Sequence, residues 1–221
     1  MDSRSLDRWL AALATLCALT VALMVFAIVW THSSQDFFQT ARSVEAYTER
    51  LAATPLMPLG VRINLGLDNL FMIFYAAFFV LLAARLRDVL DGRILTVALA
   101  AILLTAGLDS LENHHIMTVV HSIENGLPVA TGDGQFQMVA SQVKFHASYL
   151  AVLLFSIGLL EFGKLGRLTA FSLWCYIPLG VLISVLPVES TKALVLGRTA
   201  FFVFAFILSA LVFSRSARAK S

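Results

Sequence analysis

Charge is scarce in this chain. Of its 221 residues 14% are Asp, Glu, Lys or Arg and 59% are hydrophobic, and mean hydropathy is +0.84. Soluble domains carry about 25% charged residues, so the composition places the chain among helical membrane proteins. The net charge of +2 is spread over many segments, with no basic block interleaved with aromatics, and this excludes nucleic acid as a partner. Cysteine is nearly absent. Cys17 and Cys175 fall in the middle of apolar runs, where each packs as a small hydrophobe, and no zinc-type cysteine spacing exists. Missing too are the Gly-x-Ser-x-Gly nucleophile motif and the glycine motifs that cradle phosphates or dinucleotides.

Long apolar runs fill the chain instead. Windows of membrane-spanning length predict helices at about 9–31, 63–84, 94–117, 138–160, 169–187 and 192–213, each near the ~20 residues that cross a bilayer. The fold class is therefore all-α, a single transmembrane domain over 1–221 built as a bundle of six helices, with no internal repeat by eye. The run from Trp9 to Trp30 is too long for a signal-peptide core and lacks a convincing cleavage site, so it reads as a retained first helix. Turn chemistry separates the spans, as at Asp91-Gly92, Asn125-Gly126 and Gly132-Asp133-Gly134.

Loop charge gives the orientation. Arg4, Arg8, Arg85, Arg87, Arg93, Lys164, Arg167, Arg215, Arg218 and Lys220 gather on one side, against mainly Arg42, Arg50, Arg62 and Lys192 on the other. The positive-inside rule puts both termini in the cytoplasm of a plasma membrane or bacterial inner membrane. All five histidines then lie at or toward the outer side. The longest outer loop, 32–62, carries Phe37, Phe38, Ala41, Val44 and Leu51 at roughly helical spacing, and this predicts either an amphipathic helix at 36–53 or a plain solvated connector.

Inside the apolar runs stand Asp68, Asp109, Lys144, His146 and Arg198. An ionisable group in hydrocarbon costs several kcal/mol unless paired or hydrated, so it marks a site. Counting inward at the helical rise puts Asp109 and Arg198 about 22 Å, Asp68 and Lys144 about 24 Å and His146 about 21 Å from the cytoplasmic ends. Span three is densest: Thr105, Asp109, Glu112 and Asn113 form one stripe, His115 flanks it, and His114 points away. Asn64, Asp68 and Tyr75 share a face of span two. Lys144 and His146 lie about 200° apart on span four, so one pocket takes only one of them. Lys144 is expected to snorkel to the outer interface, and His146, with Gln142 and Tyr149, to face the bundle.

Three functions compete for this layer. In the first, Asp68, Asp109 and Glu112 offset Arg198 and Lys144 as structural ion pairs in a subunit without chemistry. In the second, His115, His146, Asp109 and Glu112 hold zinc or another divalent metal, or three of them do while one acts as base, with Asp109 and Glu112 catalytic and Asp68 supporting them. Metal-bound water would then attack a lipid-like or amphipathic substrate from the outer leaflet. Asp and His together among helices resembles membrane hydrolases of the alkaline ceramidase type, although this chain has fewer spans and no His-x-x-x-His pair near its C-terminus. The rise count also separates His115 from Asp109 by about 9 Å. The third function is a proton- or cation-coupled carrier or sensor using the same residues. Bis-histidine haem fits poorly, because His115 and His146 differ by about 10 Å in depth. Protein partners are not readable from the sequence.

Overall fold

The computed structural model describes residues 2–33, 49–52, 56–129, 132–186 and 190–219. Among them there is no strand, and six helices are long and apolar enough to cross a membrane. They are α1 (Ser3–Thr31), α2 (Met57–Arg85), α3 (Gly92–Glu124), α4 (Gly132–Leu159), α5 (Gly163–Val185) and α6 (Lys192–Ala219). The chain is a multi-pass, all-α membrane protein. Most of the expected amphipathic helix at 36–53 falls outside the described residues; 49–52 form a helical turn.

Each helix outruns its apolar window at one or both ends, because backbone hydrogen bonding continues past the hydrocarbon-like residues until a cap or breaker ends it. Asp2 caps α1 by accepting from the Ser5 N–H at 2.7 Å, and that bond holds its carboxyl below the usual range. Pro58 opens α2, where a missing N–H costs nothing. Asp91 caps α3 through the Arg93 N–H at 2.8 Å. Gly126 (φ 65°) and Gly163 (φ 67°) supply left-handed backbone just after α3 and at the start of α5.

Packing follows chain order. Every helix lies chiefly against its sequence neighbours, and α6 closes back onto α1, so the six form a ring. Two small-residue contacts set its spacing. A Cβ at Gly60 would come within 2.5 Å of Thr31 and Ser33 side-chain atoms, so α2 meets the end of α1 closely. At Gly180 a Cβ would stand 2.0 Å from the Tyr149 hydroxyl, so α5 makes room for that ring. Aromatic side chains fill the interior: Phe71, Phe78, Phe202 and Phe206 meet edge to face at 5.0–6.0 Å between centroids.

An ion pair ties the end that carries the termini. Asp7, fully buried, accepts from Arg85 Nε at 2.7 Å and from Ser216 Oγ at 2.7 Å, which joins α1, α2 and α6. The Arg85 guanidinium also lies over the Phe162 ring at 4.9 Å. At the opposite end Arg62 pairs with Glu124 across α2 and α3.

Candidate functional site

In the half of the ring away from the termini, polar side chains converge on one level. Lys144 of α4 donates to Asp109 Oδ1 at 2.9 Å and to Glu112 Oε1 at 2.7 Å, and all three residues are buried. One turn apart on α3, the two carboxylates share a face, and Lys144 sits between them. Tyr75 of α2 donates to the other Asp109 oxygen at 3.0 Å. Ser141 donates to Glu112 Oε2, Gln137 donates to Ser141 Oγ at 3.3 Å, and Gln137 Oε1 meets His115 Nδ1 at 2.7 Å. A hydrogen-bonded chain thus runs from half-buried His115 through α4 to Tyr75.

Two further charges stand beside it. Asp68 accepts from Asn113 Nδ2 at 2.8 Å, and the same amide donates to Asn69 Oδ1 at 3.0 Å. Arg198 of α6 lies over the Phe145 ring at 4.3 Å, with the Lys144 ammonium 4.7 Å from the same ring. The Tyr149 hydroxyl is also a polar neighbour of Arg198. Among the described residues neither Asp68 nor Arg198 has an oppositely charged side chain within 4 Å.

These groups border a cavity of about 180 Å³ on the axis of the ring, to which every helix contributes. Asp68, Tyr75, Asp109, Lys144 and Arg198 line it, with Thr105, Ser148, Tyr176 and Thr199 as neutral polar groups. The rest of the wall is apolar, from Val21, Met24, Val25 and Ile28 of α1 to Phe202 and Val203 of α6. Val25 is 49% exposed on the outer face of the ring, so the cavity reaches the lipid-facing surface along α1.

Several expected placements are corrected. Lys144 does not snorkel: it is 4% exposed and bridges two carboxylates. Two anions offset the desolvation of an ammonium inside the ring, which no single interface contact could do. With Lys144 inside, helical geometry sends His146 out. It is exposed, its Nδ1 bonds the Gln142 carbonyl at 2.8 Å, and it borders an apolar groove with Val97 and Leu104. A neutral imidazole that bonds its own helix tolerates that surface at far lower cost than a charge. Lys144 makes two ion pairs, whereas Arg198 faces an aromatic ring. The four expected metal ligands are not gathered, and no group of three or more His, Cys, Asp or Glu side chains among the described residues could hold a metal ion. His146 faces away, His115 bonds Gln137, and an ammonium fills the space between Asp109 and Glu112 where a divalent cation would sit.

The site also contains Gln137, Ser141 and Ser148, to which sequence reasoning gave no place in the layer. Gln137, Ser141, Lys144 and Ser148 recur at spacings of four, three and four, one face of α4, and all four are buried. That stripe competed with Gln142, His146 and Tyr149 and was the stronger signal by count. Phe145 and Tyr176 carry no such signal, because aromatic residues are abundant throughout the spans. No protein-family model, no curated protein and no solved structure matches this chain.

Proposed function

We propose that the protein is a proton-coupled membrane carrier whose cargo occupies the central cavity. One observation carries this. Asp68, Asp109 and Glu112 face Lys144 and Arg198 in the same layer, every one of them at most 8% exposed. With all five ionised, three anions meet two cations, and one negative charge stands uncompensated in a low-dielectric interior, a costly state. A single proton removes the imbalance. Protonation and occupancy are then linked, because a charged group that pairs with a member of the layer changes the cost of holding that proton.

Local structure supports the assignment. The chain from His115 to Glu112 gives the half-buried imidazole a route to sense or supply charge from the end opposite the termini, which loop charge makes the outer side. Pro178 lies inside α5, two residues from the cavity-lining Tyr176. It withholds an N–H from the carbonyl four residues before it, the kind of helix break that carriers place beside a cavity. Hydrolysis has less to stand on: Ser141 donates to Glu112, with no histidine base on its hydroxyl, and the ligands for a metal are dispersed.

The test is flux in liposomes. Purified protein reconstituted with an entrapped pH dye, under imposed pH gradients and membrane potentials, should carry protons in a manner that depends on the transmembrane difference. Asp68→Asn should abolish that dependence and leave the unfolding midpoint near wild type. A well-folded wild type without flux under any gradient, with or without added amphiphiles, sinks the carrier assignment.

A further inference from the structure

We infer that the cavity takes a zwitterionic amphiphile, its ammonium group against Asp68, its anionic group against Arg198, and its apolar chain leaving between α1 and α6. The inference rests on the carrier assignment only in taking this cavity as the loaded site.

The two charges of the layer differ in kind from the other three. Lys144, Asp109 and Glu112 satisfy one another at 2.7–2.9 Å. Asp68 and Arg198, of opposite sign, do not meet, although both border the same cavity. A buried charge with no counter-charge in contact is expensive, and attraction in a low dielectric would draw the two together were they free to move. Neighbouring contacts hold them instead: Asn113 fixes Asp68 through a 2.8 Å bond, and the Phe145 ring fixes the Arg198 guanidinium 4.3 Å above its centroid. An occupant that carries both signs pairs both residues and leaves the net charge of the layer unchanged. An occupant with one charge leaves the other residue stranded.

The remainder of the wall sets the second property. Beyond the charged groups the lining is mostly hydrocarbon and aromatic, and it continues to Val25, which is 49% exposed toward the surroundings of the bundle. A headgroup confined to about 180 Å³ with a chain running out past Val25 and Val203 fits that shape. Both a phosphoethanolamine lipid and its free headgroup diester, glycerophosphoethanolamine, carry the required pair of charges. The apolar path favours the lipid form.

Binding should be measured at equilibrium on the full chain in nanodiscs, without any gradient, using a single-chain phosphoethanolamine lipid, an alkyl phosphate and an alkylamine of the same chain length, and glycerophosphoethanolamine as the free headgroup. The zwitterionic lipid should bind tightest. Asp68→Asn and Arg198→Gln should each weaken it about ten- to hundredfold, the range expected for a lost charged hydrogen bond. Asp68→Asn should leave the alkyl phosphate within about twofold, and Arg198→Gln the alkylamine likewise, because each probe lacks the group that the altered residue engages. Should either charge variant fail to fold, Val25→Trp at the mouth supplies the check: it should weaken the lipid and spare the free headgroup. Equal binding of the alkyl phosphate or alkylamine to wild type, indifference of the lipid to every variant, or equal affinity for the free headgroup overturns the inference. Binding without flux removes the carrier and keeps this site. Flux without zwitterion binding does the reverse.

Discussion

Replacing Lys144 by Met tests whether the buried charge layer holds the ring together. The substitution removes one ammonium and two bonds, at 2.9 Å to Asp109 and 2.7 Å to Glu112, and leaves both carboxylates in the interior without their shared cation. Removing one partner of a buried pair typically costs about 3–5 kcal/mol, because the other charge remains. For a chain of this size each kcal/mol lowers the midpoint by about 2–4 °C, so the drop should be about 6–20 °C. Thermal unfolding in one detergent at fixed pH reads it out. The companion variant Lys144→Met, Asp109→Asn, Glu112→Gln removes all three charges together, and replacing a whole buried pair is often neutral. It should recover most of the loss. A single variant within about 1 kcal/mol of wild type, or a triple variant no better than the single, would refute this account of the layer.

Other substitutions probe other contacts. Arg85→Ala should cost about 3 kcal/mol, since it takes the guanidinium away from the fully buried Asp7, whereas Ser216→Ala removes one neutral donor and should cost about 1 kcal/mol; denaturant titration compares them. Gly180→Ala should destabilise by about 1–3 kcal/mol, because its methyl would collide with Tyr149. Gly66→Ala meets open space within α2 and should be neutral or stabilising by up to about 1 kcal/mol in the same melts. His146→Leu should change stability by under about 0.5 kcal/mol as an exposed substitution. His115→Ala should lose about 1 kcal/mol with its Gln137 bond, and equal effects of the two histidine changes would contradict the placement of α4.

The spans were legible because hydropathy and length are properties of the isolated chain. Their ends were less so: α3 continues through Glu124, seven residues beyond its apolar window, since capping decides where a helix stops. The stripe of Thr105, Asp109, Glu112 and Asn113 appeared at helical spacing, and all four are buried. Asp68, Asp109, Lys144 and Arg198 fell at one estimated depth, and all four line one cavity. Depth is one-dimensional, however. Which side of α4 turns inward depends on what faces it, and Asp109 and Glu112 draw in Lys144 at the expense of His146. Arg198 needed Phe145 from a helix two places earlier in the chain, a relation that no local pattern encodes.

The closure of α6 onto α1 makes the order of synthesis matter. Of the six helices α1 leaves the ribosome before the others and α6 after them, so the seam between these two is the final one of the ring to form. Until α6 inserts, Asp7 lacks its Ser216 contact and the cavity lacks the wall that carries Arg198. A chain truncated before Lys192 would leave the cavity, with Asp68, Asp109 and Lys144 on its wall, open on the side that α6 closes.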